Sequence, residues 1–178
     1  MTDIRKIYTR GYVKFNEPDG LDLIRPDEFT LANCSERYRD NGREALPKEL
    51  GDRLNAFGNY LKTKYVDQLW PEAEFDNFIM WEGVDKDVTG WHTDIFEGYD
   101  VFFLYYFDPQ TAATGGSISF KWGTLEGNEQ IAQHYPQPGD LFLINNHDRG
   151  FWHRGEYSQV RRRMSCFEFV VGDEKWKS

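Results

Sequence analysis

At 178 residues and 21.0 kDa, with 39% hydrophobic and 17% aromatic residues, the chain can build one sizeable core and is too short for two ordinary ones. A mean hydropathy of -0.72 and 29% charged residues describe a well-solvated surface, and the formal net charge of -9 opposes general binding to phosphate backbones. The longest apolar run, Val101 to Phe107, falls far short of the ~20 residues a spanning helix needs, and Met1 to Lys6 lacks an apolar signal core, so a cytoplasmic location without a membrane partner is expected.

From Ile4 to Phe15 the chain is rich in Ile, Tyr, Val and Phe before it breaks at Pro18-Asp19-Gly20, which predicts a strand and a turn. Between Pro47 and Trp70, apolar Leu50, Leu54, Phe57, Leu61 and Tyr65 recur at steps of four, three, four and four, and Pro47 suits a first helical turn; the pattern predicts an amphipathic helix. Beyond Pro71 come short apolar segments separated by turn residues: Phe75 to Glu82, Val101 to Phe107, Ser117 to Trp122, Asp140 to Asn145 and Arg161 to Val171. Frequent glycines, among them Gly115-Gly116 and Gly139, suit antiparallel connections better than βαβ crossovers. The expectation is a mainly β fold with flanking helices, a sandwich or barrel buttressed by the long helix, in one domain spanning 1–178 with its core at about 75–171. Cys34 and Cys166, far apart and in no metal-finger spacing, are expected to be reduced.

The chemistry-bearing residues sit in the β-rich half. In Trp91-His92-Thr93-Asp94, side chains two apart on an extended segment share a side, so an imidazole and a carboxylate can converge on one ion. Chance alone would give some His-x-Asp about one time in three in such a chain, so the pair gains meaning only with partners further along the chain. A later His153 completes two imidazoles and one carboxylate, the facial set of non-haem Fe(II) oxygenases that leaves three cis positions open. Arg163 and Ser165, two apart on the last strand, share a face with Phe167 and Phe169, and that face is expected to point inward. A guanidinium with a neighbouring hydroxyl suits the distal carboxylate of a five-carbon diacid. Arg161 has the same parity and is a substitute.

These motifs resemble those of the Fe(II)/2-oxoglutarate-dependent oxygenases. Trp91-His92-Thr93-Asp94 looks like the first metal motif. Leu104-Tyr105-Tyr106 followed by Gly115-Gly116-Ser117-Ile118-Ser119-Phe120 is similar to a stretch of the prolyl-hydroxylase branch, Pro138-Gly139-Asp140 to the approach to the second His, and Arg163-Met164-Ser165 to the Arg-x-Ser anchor. The prolyl-hydroxylase branch usually anchors its co-substrate with Lys, so the likeness departs from it there. The resemblance covers about half of the chain. It implies a double-stranded β-helix (jelly-roll, cupin-like) core, with Fe(II), 2-oxoglutarate and O2 as cofactor and co-substrates and ascorbate as a further candidate. The implied reaction couples oxidative decarboxylation of 2-oxoglutarate to hydroxylation, which Asp94 favours over halogenation. A peptidyl residue of proline type, a free amino acid or another small metabolite would be the substrate. The rivals are a nucleobase oxygenase, against which the charge argues, and a non-catalytic cupin-like binding module, against which the Arg-x-Ser argues.

Several residues remain open at this level. His147 competes with His153, which family spacing favours; His134 reads as an ordinary exposed imidazole. Either Tyr105 or Tyr106 can reach the co-substrate, or both pack in the core. Trp81, Trp91, Phe96 and Trp152 are candidate walls of the substrate pocket, with core packing as the competing role. Asp85, Asp87, Glu97 and Asp100 either favour a cationic substrate or belong to a solvated loop. Arg149, Arg154, Arg161 and Arg162 read as partners of surface carboxylates.

Overall fold

The computed structural model describes residues 3–29, 47–83, 90–94, 100–123, 127–147 and 150–172. Cys34, Asp85, Asp87, Phe96, Glu97 and Arg149 lie outside the described residues, as does the side chain of Trp81.

The first segment departs from the expected strand. Ile4–Lys6 forms a 3-10 turn, Ile7–Arg10 a short helix (α1), and only Tyr12–Asn16 is extended (β1). Ile4 and Ile7 explain the difference. Three apart, they fall on one side of a helical turn and are both buried, whereas a strand would send them to opposite faces. The long helix forms where expected, as α2 over Lys48–Lys64 with Pro47 at its N-cap position. Its Leu50, Leu54 and Leu61 are fully buried. Gly58 lies on the same stripe, where a Cβ would stand 2.3 Å from the ring of Phe75; the missing side chain is what lets that ring rest on the helix.

Among the described residues seven further strands follow: β2 (Glu74–Gly83), β3 (Val101–Tyr106), β4 (Ile118–Gly123), β5 (Glu129–His134), β6 (Asp140–Asn145), β7 (Phe151–Gly155) and β8 (Arg162–Val170). They form, with β1, a five-stranded sheet in the order β1-β6-β3-β8-β2 and a three-stranded sheet in the order β5-β4-β7, with every pairing antiparallel. β5 and β7 escape the sequence reading because their residues, Glu-Gln-Ile-Ala-Gln-His and Phe-Trp-His-Arg-Gly, carry too little apolar alternation. Between β3 and β4, Gly115 and Gly116 both have φ near +78°, and a Cβ on them would meet the Tyr157 carbonyl at 2.2 Å and Gln110 Oε1 at 2.0 Å. They make a tight strand connection.

Two apolar layers result, one on each face of the larger sheet. On the helix side, Leu50, Leu54 and Leu61 join Phe103, Tyr105, Phe167 and Phe169. Between the two sheets lie Tyr12, Phe102, Leu104, Tyr106, Phe120, Phe142, Met164 and Cys166. The larger sheet is thus covered on both sides, and the inter-sheet space is where a site can be enclosed. This is a double-stranded β-helix with helices on one side. Among the described residues no helix is long and apolar enough to cross a membrane.

Candidate metal centre

The pleat of β7 sends His153 into the inter-sheet space, where its ring meets that of Phe102 with centroids 5.6 Å apart. The backbone at His92 runs beside it. His92 N–H donates to the His153 carbonyl and His153 N–H to the His92 carbonyl, each at 3.0 Å, so the two ligand candidates are a paired bridge. Their rings stand 4.3 Å apart. Asp94, two residues on, turns its carboxylate to both: 3.6 Å to His92 Nε2 and 3.3 Å to His153 Nε2. One donor atom from each of the three lies within 4.8 Å of the others. Cis donors on an octahedral ion with bonds of about 2.1 Å stand about 3.0 Å apart, so the two carboxylate contacts are already near that spacing, while the set as a whole closes by up to about 2 Å around an ion.

The surroundings prepare the donors. His92 Nδ1 lies 2.7 Å from the Gly90 carbonyl; facing an acceptor, that nitrogen carries the proton and leaves the Nε2 lone pair for an ion. Asp94 N–H donates to Oδ1 of buried Asn146 at 2.7 Å, which fixes the backbone that carries the carboxylate. Nothing in the sequence singles out Asn146 for this task. His147, the competing imidazole, instead faces Asp100 (Nδ1 to Oδ1, 3.2 Å). Asp100 also accepts from the backbone of Val171 and Gly172, so His147 belongs to the clasp at the end of β8.

The co-substrate residues named from parity are corrected by the structure. Arg163, Ser165, Phe167 and Phe169 do share a face, but it is the one covered by α2. Arg163 forks onto Asp108, with Nε donating to Oδ2 at 2.9 Å and Nη2 to Oδ1 at 2.5 Å, while its own backbone N–H donates to the same carboxylate. Ser165 donates its hydroxyl to the Ile79 carbonyl at 2.9 Å, and Arg161 reaches the Pro26 carbonyl. The opposite face of β8 carries Arg162, Met164, Cys166 and Glu168 into the inter-sheet space. Arg162 is buried; its Nη1 donates to the Glu156 carbonyl at 3.0 Å, and its buried Nε has no hydrogen-bond partner among the described residues. A buried guanidinium that retains donor capacity is a ready partner for an anion. Glu156 lies three residues beyond His153 on extended chain, about 10 Å at about 3.3 Å per residue, a span that suits a short diacid between Arg162 and the triad.

The tyrosines divide in the same way. Tyr105 points to the helix side and donates to the carbonyl of Glu17 at 2.7 Å. The Glu17 side chain is itself buried and holds Tyr60, Lys64 and Tyr65. Tyr106 points between the sheets. Its burial raises the phenol pKa, an effect that nearby Arg162 opposes, so the hydroxyl stays a proton donor.

Two further readings change. His134 is half-buried: its Nε2 lies 3.0 Å from the Tyr12 hydroxyl, its ring meets those of Tyr12, Phe120 and Phe142, and burial lowers its pKa. Trp91 and Trp152 do not face the inter-sheet space. Trp152 neighbours His153 on a pleated strand and therefore points the other way, and both indoles pack around Lys121 at 5.4 and 5.5 Å, with Arg154 over Trp91.

At the level of sequence, no protein-family model and no curated protein matches the chain. Solved structures do match. A Pseudomonas putida prolyl-4-hydroxylase aligns with a TM-score of 0.62 at 14% identity, over 96% of this chain and 93% of that one. A viral collagen prolyl hydroxylase from Paramecium bursaria Chlorella virus-1, solved as a 2OG complex, aligns at 0.57 and 9% identity over 92% and 97%. A non-haem α-ketoglutarate-dependent epimerase of nogalamycin biosynthesis aligns at 0.59 and 11% identity over 94% and 80%. The chain therefore carries the double-stranded β-helix fold of these prolyl hydroxylases and this epimerase.

Proposed function

We propose that the chain is an Fe(II)/2-oxoglutarate-dependent oxygenase that hydroxylates a small molecule or a peptidyl residue. His92, Asp94 and His153 would hold the iron, and Arg162, assisted by the Tyr106 hydroxyl, the far carboxylate of 2-oxoglutarate. The observation that carries this reading is the convergence of the triad, with a buried guanidinium of unfilled donor capacity bonded to the Glu156 carbonyl three residues beyond His153. The likeness of fold to prolyl hydroxylases supports it.

Fe(II) and 2-oxoglutarate supply the oxidising power: O2 is consumed, the oxo acid is decarboxylated to succinate, and one oxygen atom is inserted into a C–H bond of the substrate. The chain supplies the arrangement. His92, Asp94 and His153, two imidazoles and one carboxylate, would hold the iron from one side and leave the other open to ligands. The proton fixed on His92 Nδ1 orients that ring, and Asn146 orients the Asp94 backbone. Arg162 and the protonated Tyr106 would hold the far carboxylate of the diacid and so set its direction. Phe102, Leu104 and Phe120 line the space with apolar surface and keep water away from the reacting atoms.

Anaerobic titration of the protein with Fe(II) and then 2-oxoglutarate tests this directly. The weak visible charge-transfer absorption of the chelate is expected to saturate in the unsubstituted chain and to vanish in His92→Ala and Asp94→Ala. Its full retention in both variants would refute the triad.

A further inference from the structure

We infer that Glu156 is a positioning residue for the co-substrate: its fastened carboxylate holds its own backbone carbonyl against Arg162 and so aims the guanidinium at the far carboxylate of 2-oxoglutarate. The inference rests on the oxygenase reading above and adds to it a residue that acts through Arg162.

Glu156 follows the last residue of β7 and ties together all three strands of the smaller sheet. Its N–H donates to the carbonyl of Ser117, at the head of β4, at 2.9 Å. Carboxylate Oε2 accepts from the Ser117 hydroxyl at 2.6 Å and from Nε2 of Gln133, on β5, at 3.0 Å. Carboxylate Oε1 accepts from Nη2 of Arg154, on β7, at 2.8 Å. These donors are themselves held. Ser117 is fully buried and takes a second bond from Gln133 Nε2 at 3.0 Å. The Arg154 guanidinium lies over the Trp91 indole, 4.6 Å from its centroid and one residue before His92.

The Glu156 carbonyl faces the other way and accepts from Arg162 Nη1. Arg162 belongs to the larger sheet, so this bond fixes the guanidinium relative to the sheet that carries His153. A long arginine side chain has rotamer freedom that binding an anion must remove, and removing it beforehand tightens the binding. A fork of two parallel hydrogen bonds to a carboxylate also needs the guanidinium plane in one orientation. Two backbone contacts flank the aiming carbonyl: the Glu156 N–H to Ser117, and the Tyr157 carbonyl, which accepts from Gly116 N–H at 2.6 Å. They hold the chain but leave the peptide plane between them able to rock. The three side-chain contacts stop that motion, and two of them carry charge or reach a buried partner.

The test titrates the full chain anaerobically with Fe(II) and 2-oxoglutarate and reads the midpoint and the saturating absorption of the chelate. Glu156→Ala is expected to raise the 2-oxoglutarate midpoint about tenfold, with the Fe(II) midpoint and the saturating absorption unchanged. Glu156→Gln keeps an acceptor for Ser117 and Gln133 and is expected to raise it no more than about threefold. On the Arg162→Ala background, Glu156→Ala is expected to add nothing, because the two act in series. Gln133→Ala changes an exposed position and is expected to raise the midpoint about twofold, so a result follows even where Glu156→Ala does not fold. Unmoved midpoints in the Glu156 and Gln133 variants overturn the inference and leave the oxygenase reading standing. Additive shifts in the double variant overturn it too, as does an equal rise in the Fe(II) midpoint, since a merely structural role produces both. Absence of the chelate from the unsubstituted chain overturns both readings.

Discussion

The two faces of β8 use similar residues for opposite ends. On the face under α2, Arg163 is spent on Asp108 and the backbone around it, and Phe167 and Phe169 are locked against Phe57 and Phe75. On the face between the sheets, Arg162 retains a buried donor without a partner among the described residues, and Glu168 lies beside the ring that touches His153. One face closes its polar groups and stabilises the fold; the other lines the enclosed space with charge. Adjacent arginines of the same strand therefore belong to different problems, and position on the pleat decides which.

That contrast can be broken most sharply by truncating each arginine in turn. Arg162→Ala is expected to raise the 2-oxoglutarate concentration needed for chelate formation about 10- to 100-fold, because a hydrogen bond to a charged group is worth roughly 1.5–3 kcal/mol. Circular dichroism and thermal melting should change little. Arg163→Ala is expected to do the reverse: an unaltered 2-oxoglutarate requirement and a stability loss of about 2 kcal/mol in urea melts, since Asp108 keeps only its backbone donor. If the co-substrate requirement followed Arg163 instead, the assignment of faces would be wrong.

A smaller effect sharpens the helix side alone. Gly58→Ala gains helix propensity but drives a methyl into the Phe75 ring, and the net expectation is a destabilisation of about 1–2 kcal/mol with unchanged iron and 2-oxoglutarate binding. A stabilised protein would show that the contact between helix and sheet yields. The smallest effect belongs to the inter-sheet side. Burial depresses the folded pKa of His134 below the ordinary 6.5, so the unfolded chain binds more protons than the folded one between those two values. Stability is expected to fall as pH drops through 6.5 toward the folded value. His134→Phe should flatten that part of the stability-pH curve, and an unaltered slope would remove His134 as its source.

Much of this architecture was legible in the amino-acid order. The stripe of Leu50, Leu54 and Leu61 gave α2, five apolar segments gave five strands, and the glycines announced antiparallel turns. The fold that the resemblance implies is the fold observed. The grouping of His92, Asp94 and His153 was also readable, because residues two apart on extended chain must share a side. What parity could not decide was which of the two covered faces of β8 encloses the site. From Arg162 to Phe169 every residue is buried or half-buried, so the usual contrast of inward apolar and outward polar residues is missing. A clue was present nonetheless. The apolar stripe of α2 needs the more apolar face of the sheet, and Phe167 with Phe169 provides it; the face with Arg162 and Glu168 is left for the interior. Trp91 and Trp152 were misplaced for a simpler reason: proximity in sequence to a ligand says little on a strand, where the next residue points away.

The reciprocal bridge between His92 and His153 has a thermodynamic side. These residues stand about sixty positions apart, and bringing them together costs chain entropy that the unfolded state does not bear. An ion shared by both imidazoles and by Asp94 would act as a removable cross-link across that long loop, since the unfolded chain offers it no assembled donors. Loading the centre and tightening the fold would then be one event, and the amide protons of His92 and His153 should slow their exchange together as metal is added.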